Sequence, residues 1–206
     1  MDNTDNKKFW NRFAFLYDLK VNMIKTDKLA YKLMIENVRK ELNADMEVLE
    51  LATGTGLIAV KIADACKRIE ATDFSPNMIE TAKAKGCAAN LTFCVQDATN
   101  LTYADKTFDA VIISNALHIM PNPEKALANI SRVLKDDGIL IAPTFTRSNK
   151  FSEKLKAGFM GIFGFKTYSK WTFDQYLQFI EQNEWKITKK DCIKASFPLA
   201  YLVAKK

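Results

Sequence analysis

The 206-residue sequence has one histidine and four cysteines (Cys66, Cys87, Cys94, Cys192), and no two cysteines form a CxxC pair. That scatter argues against zinc and against a disulfide framework, and makes a reducing cytosol the simplest location. The opening MDNTDNKKFW lacks an apolar run, so no signal peptide is expected. No apolar stretch approaches the ~20 residues of a membrane span, so no stable membrane insertion is expected. Internal repeats and low-complexity linkers are missing too. What is present is a globular composition, 48% hydrophobic and 26% charged. The length suits one well-buried domain and would cramp two.

Net charge is +6 and unevenly spread. Residues 1–46 hold nine basic and seven acidic side chains, residues 47–146 nine and twelve, and residues 147–206 twelve and five. The basic excess therefore sits in the last quarter. It either is an ordinary solvated surface or attracts an anionic partner: a carboxylate, a phospholipid head group or nucleic acid.

Periodicity divides the chain further. KKFWNRFAFLYD (7–18) has aromatics at helical spacing. A second helix is expected over 28–42, with Ala30, Leu33, Met34, Val38 and Leu42 on one side. Strands are expected at 48–51, 69–73, 91–97, 108–114 and 138–145. Helices are expected at 56–66, 76–85 and 123–135, the last stopped by Asp136-Asp137-Gly138. Ser75 should cap its helix, with Pro76 in the first turn. Strands alternating with helices imply a parallel, doubly wound α/β sheet, because parallel neighbours need crossover helices. A Phe- and Lys-rich stretch follows at 150–171. Beyond it come a helix over 172–183 that Thr172 can cap and two closing strands, 185–193 and 198–206.

The turn in VLELATGTGLIAV (48–60) carries the first chemistry. Gly54-x-Gly56-x-x-Ala59 fits a dinucleotide fingerprint. Glu50-x-Ala52-x-Gly54-x-Gly56 fits the first motif of S-adenosylmethionine enzymes, apart from Ala52. Either cofactor explains the glycines, which let a ligand reach the backbone and a helix N-terminus. Either explains Asp73, at the end of the second strand, where a carboxylate can accept from both ribose hydroxyls. Glu50 breaks the tie. A buried acid is costly without a partner, and S-adenosylmethionine brings a cationic sulfonium and ammonium. Asp97-Ala98 after the third strand adds an acceptor and a backbone N–H suited to an adenine edge. Asp97 alone could be a mere turn residue; three acids at successive strand ends are hard to assign to coincidence.

With these residues the chain resembles the class I S-adenosylmethionine-dependent methyltransferases, and most closely the small group that includes the quinone-biosynthesis enzymes. VLELATGTG, ATDFSPNMI, VQDATNLTYADKTFDAVIISNALHIMPNPEKAL and RVLKDDGILI carry the likeness, which runs from about residue 9 to the end. It implies a Rossmann-like seven-stranded sheet in the order 3-2-1-4-5-7-6, with strand 7 antiparallel. It implies one domain: an N-terminal helical cap (1–46), a cofactor-binding core (47–146), and a lid with closing strands (147–206).

The resemblance also distributes roles. Glu50, Ala52, Thr53, Gly54, Thr55 and Gly56 would surround the methionine part of S-adenosylmethionine. Asp73 would hold the ribose, with Phe74 and Met78 beside the adenine, and Asp97 and Ala98 at its edge. Asn115, Ala116 and Leu117 would lie near the methionine amine and the reactive methyl. Tyr17, in FWNRFAFLYD, matches a tyrosine that closes over the cofactor carboxylate. Ala52 replaces the usual first glycine, which should shift the loop slightly without losing binding.

Methyl transfer asks mainly for alignment, and a base matters only when the nucleophile carries a proton near neutral pH. His118 is a candidate base at the rim of the fourth strand, or else it only orients the loop. Phe151, Leu155, Phe159 and Phe163 recur every four residues beside Lys150, Lys154 and Lys156. They make an ordinary lid, or an apolar pocket with a basic rim for a small-molecule, lipid or peptide-carboxylate acceptor. A NAD-dependent oxidoreductase leaves Glu50 unexplained, and no separate substrate domain is expected beside the cofactor-binding core. A non-catalytic cofactor-binding or nucleic-acid-binding module is the other alternative. Ser114-Asn115-Ala116-Leu117 stands where base-methylating enzymes carry Asn/Asp-Pro-Pro-Tyr, which argues against amino-group methylation of bases and makes a nucleic-acid partner less expected.

Overall fold

The computed structural model describes residues 25–86, 88–147 and 167–206. The expected helix at 7–18, Tyr17 and most of the 150–171 stretch lie outside the described residues.

Helix α1 spans Lys25–Lys40. It buries Ala30, Tyr31, Met34, Ile35 and Val38, whose spacing traces one stripe of a 3.6-residue helix. Leu33, expected on that stripe, is 41% exposed, because the real stripe runs through Tyr31 and Ile35. Strand β1 is Glu47–Leu51, followed by a short helix α2, Ala59–Ile62, and one 3-10 turn, Ala63–Ala65. Then come β2 (Arg68–Asp73), α3 (Pro76–Lys83), β3 (Leu91–Val95) and β4 (Phe108–Ile113). The expected first crossover helix is thus shortened to a few residues at its centre. Ser75 caps α3 as expected: its hydroxyl accepts from the Met78 N–H at 3.2 Å, and Pro76 takes the first turn.

Helix α4 is Pro123–Val133, and β5 is Leu134–Ile141. Asp136-Asp137-Gly138 therefore does not stop the helix, which ends when Leu134 turns extended. The three residues lie in a bulge of β5 instead: Phe108 sits opposite Leu134, but Ala110 sits opposite Ile139. Glycine is needed at 138. A Cβ there would meet Leu134 Cδ2 at 2.9 Å and the Lys135 carbonyl at 3.0 Å.

A two-residue strand β6 (Thr144–Phe145), α5 (Phe173–Gln182), β7 (Lys186–Ile193) and β8 (Leu199–Lys205) complete the described chain. Thr172 caps α5 in a full capping box with Gln175. The sheet runs β3-β2-β1-β4-β5-β8, and β7 pairs with the other edge of β8. β1 to β5 are parallel, and β8 is antiparallel to β5 and β7. β6 continues the line of β5 along β8 beyond Ala142-Pro143. Taken with β5 as one strand, it leaves the expected seven-stranded order with an antiparallel seventh strand.

Each face of the sheet is covered. Val48, Ala110, Ile112 and Ile141 meet α1, α2 and α3 on one side. Leu49, Leu51, Val111, Ile113 and Leu140 meet α4 and α5 on the other. β1 and β4 are neighbours whose connections leave in opposite directions, so a crevice opens at their C-terminal ends. Ligands of open α/β sheets bind at such a switch point.

Candidate functional site

The turn after β1 is built on three left-handed residues: Ala52 (φ 54°), Gly54 (φ 57°) and Gly56 (φ 76°). The Thr53 N–H donates to the Thr72 carbonyl at 2.8 Å, extending the β1–β2 ladder into the loop. Gly56 N–H then donates to the Thr53 carbonyl at 3.0 Å and closes the turn. The two glycines serve different ends. A Cβ at Gly56 would strike the Phe93 ring at 2.7 Å, so this glycine seats the turn on β3. A Cβ at Gly54 would meet nothing within 4 Å, so this glycine leaves an open backbone face. Alanine at 52 adopts the left-handed conformation that the family pattern reserves for glycine. A methyl group in that conformation strains the backbone.

Glu50 is buried, 1% exposed, directly beneath this turn. The Thr53 hydroxyl donates to its Oε2 at 2.8 Å, and the Ala59 N–H supplies a second hydrogen bond. Burial outweighs both and pushes its pKa up to about 8. Asp73, at the end of β2, accepts from the Gly54 N–H through Oδ2 and from the Ser75 N–H through Oδ1, each at 2.9 Å. Burial still raises its pKa to about 6. The second acid therefore ties the glycine turn to the start of α3. Phe74 is half-buried and Met78 buried beside it.

Asp97 is exposed two residues beyond β3. Its Oδ1 accepts from both the N–H and the hydroxyl of Thr99, each at 2.8 Å. This is the turn role weighed above, and it orients the carboxylate while leaving Oδ2 outside these bonds. Ala98 is buried.

Asn115 follows β4 in a left-handed conformation, φ 53°. Its amide faces the protein. Oδ1 accepts from the Phe145 N–H at 3.0 Å, and Nδ2 donates to the Tyr31 hydroxyl at 3.1 Å. Asn115 thus pins the ends of β4 and β6 to α1, and its neighbours Ala116 and Leu117 are buried. His118 Nδ1 lies 2.8 Å from the Thr144 Oγ1, and desolvation lowers the imidazole pKa to about 4. The His118 carbonyl accepts from the N–H groups of Tyr168 and Ser169, each at 3.0 Å. One residue thereby joins β4, β6 and the chain entering α5.

The structure brings Glu50, Ala52 to Gly56 and Asp73 into one hydrogen-bonded unit, with Asn115 to His118 across the crevice. Tyr31, Thr144 and Lys85, whose Nζ donates to the Thr55 carbonyl at 2.8 Å, were not singled out in the sequence. Tyr31 had a readable signal, since it falls on the apolar stripe of α1 and carries a hydroxyl that needs a buried partner. The other two had none. Among the described residues no helix is long and apolar enough to cross a membrane.

Residues 49–142 match the family described as "Methyltransferase domain". A demethylmenaquinone methyltransferase of Paenarthrobacter aurescens is 38% identical over 106 residues, covering 52% of this chain and 41% of the relative. A ubiquinone/menaquinone biosynthesis C-methyltransferase of Desulfotalea psychrophila is 40% identical over 94 residues, covering 45% and 38%. The chain spans less than half the length of these curated relatives. Among solved structures, magnesium protoporphyrin IX methyltransferase of Synechocystis with bound S-adenosylhomocysteine superposes over the whole of both chains, with a TM-score of 0.76 at 15% identity. A SAM-dependent methyltransferase of Aquifex aeolicus superposes over 82% of this chain and 88% of its own, with a TM-score of 0.66 at 17% identity. Likeness at that identity is a likeness of fold.

Proposed function

We propose that this chain, whose residues 49–142 are a methyltransferase domain of the class I S-adenosylmethionine-dependent type, transfers a methyl group from S-adenosylmethionine to a partly apolar, neutral or anionic acceptor. The carrying observation is the unit formed by Glu50, the left-handed turn and Asp73. Its Gly54 backbone is bare, so a ligand can lie where a side chain would stand. A cation suits the buried Glu50, and a hydroxyl-bearing ring suits Asp73.

When bound, S-adenosylmethionine supplies an electrophilic methyl on a sulfonium that leaves as a neutral thioether. The protein's part is placement. Ala52 to Gly56 bind the amino-acid end, Glu50 balances positive charge, and Asp73 holds the ribose. Phe74, Met78, Asp97 and Ala98 take the base, and Asn115 to Leu117 shape the wall beside the methyl. Tyr17 belongs to the same reading as a closing residue. His118 is the candidate base. It is neutral at pH 7 and able to accept a proton, but its low basicity suits an acceptor proton that is already acidic. A carboxylate or phenolate acceptor needs no base at all. The quinone-pathway enzymes among the relatives support an acceptor with an apolar portion.

Calorimetry with S-adenosylhomocysteine tests the reading. We expect one-to-one binding that Asp73→Ala abolishes and His118→Ala keeps. Wild-type protein that binds NADH but not S-adenosylhomocysteine would refute it. Turnover unchanged in His118→Ala would remove the base role alone.

A further inference from the structure

A groove with a cavity volume of about 730 Å³ runs between α1 and the start of α2. Its wall is largely apolar, formed by Leu29, Tyr31, Ile35 and Leu57. Leu29 is 57% exposed, a large apolar side chain left to water. One end of the groove lies against the site. Leu57 directly follows Gly56 of the left-handed turn, and the Tyr31 hydroxyl holds the Asn115 amide at 3.1 Å. A molecule lying in the groove would therefore have one end near the crevice above β1 and β4.

The rim carries a charge imbalance. Arg39 is held by Asp64 through a two-point ion pair, and Lys32 faces Glu36 at 3.8 Å. Lys28 and Lys61 also line the groove, and neither has a carboxylate partner among the described residues. An apolar trough whose rim holds four basic and two acidic side chains among the described residues suits an apolar chain with an anionic group. The volume is in the range of small-molecule sites and exceeds what a single ring requires.

We infer that this groove binds the apolar chain of an anionic amphiphile, whose charged group meets the basic rim to which Lys28 and Lys61 contribute. As the seat of the methyl acceptor it rests on the function proposed above; as a binding site it does not. The two basic side chains also set a preference by charge, since a cationic amphiphile of equal chain length meets repulsion there.

Calorimetry with monomeric dodecanoate, below its micelle concentration, tests the site directly. We expect one-to-one binding at least tenfold tighter than that of dodecyltrimethylammonium. Leu29→Glu should weaken dodecanoate at least tenfold, and the double change Lys28→Glu with Lys61→Glu about fivefold. Both variants alter exposed side chains and should keep wild-type affinity for S-adenosylhomocysteine. Absence of dodecanoate binding, or equal affinity in wild type and both variants, would overturn the proposal. So would association with phosphatidylglycerol vesicles without one-to-one binding of the monomer, which would mark a membrane-facing surface. A Leu29→Glu protein that loses thermal stability while binding dodecanoate normally would also overturn it, since the groove would then be packed by the chain itself or by a second copy. Dodecanoate binding without S-adenosylhomocysteine binding would leave the groove standing and remove the methyltransferase reading.

Discussion

Two residues of the glycine turn test the account of the site most sharply, because they carry opposite expectations. Ala52 holds φ 54° with a methyl group that costs about 1–2 kcal/mol in the left-handed region. Ala52→Gly relieves that cost but adds freedom to the unfolded chain, so we expect a net gain of about 1 kcal/mol in urea unfolding. Gly56→Ala should do the reverse. Its Cβ would enter the Phe93 ring at 2.7 Å as well as strain the backbone. We expect a loss of at least ~2 kcal/mol, partly recovered in Gly56→Ala with Phe93→Leu, where the ring edge is removed. A Gly56→Ala protein as stable as wild type would show that the turn is not seated on β3.

At the scale of elements, the closing hairpin holds a buried group that lacks a partner among the described residues. Tyr201 on β8 is 3% exposed, and its hydroxyl meets no hydrogen-bond partner among the described residues. An unpaired buried hydroxyl costs about 1–3 kcal/mol. Tyr201→Phe should therefore leave stability unchanged or raise it by up to ~1 kcal/mol, where most buried Tyr→Phe changes lose some. Tyr176 on α5 is the internal control, since its hydroxyl donates to the Ala142 carbonyl at 2.8 Å. Tyr176→Phe should cost about 1 kcal/mol and loosen α5 from the sheet, seen as faster amide exchange over Phe173–Gln182. Equal effects at the two positions would contradict the difference in their surroundings.

For the whole molecule, the buried ionisable groups set how stability depends on pH. Glu50 and Asp73 are raised to about 8 and about 6, so the folded state holds protons that the unfolded chain has lost. Each contribution is fully present below the unfolded pKa and disappears as pH rises through the folded value. His118 is lowered to about 4, so its contribution has the opposite sign and is lost as pH falls below about 6.5. The three overlap in the acid range. Of the three, Glu50 changes most between about pH 6.5 and 8, and stability should fall there by about 2 kcal/mol as pH rises. Chemical unfolding at pH 6.5 and 8 in wild type and Glu50→Gln checks this. The amide cannot ionise, so the fall should vanish in the variant. Urea curves with the same pH dependence in both proteins would mean that Glu50 does not titrate in this window.

How much was legible follows from which forces are local. Alternating strand and helix patterns come from near neighbours, so the parallel core, the Ser75 and Thr172 caps and the closing hairpin were readable in advance. The glycine turn and the acids at strand ends were readable too, because strand, turn and carboxylate are contiguous in the chain. Tertiary contacts decided the rest. Asp136-Asp137-Gly138 reads as a helix stop, yet pairing with β4 carries β5 back to Leu134 and turns those residues into a bulge. Asn115 reads as a residue of the cofactor-site wall, but the partners of its amide, Tyr31 at 84 positions' distance and the backbone of Phe145, were not readable. His118 reads as a base, yet desolvation makes it a weak one. The residue pattern alone determined which elements form and which backbone faces can open toward a ligand. Only the packed molecule decided which polar groups remain available to that ligand, because a side chain's partners come from parts of the chain that its own neighbourhood does not encode.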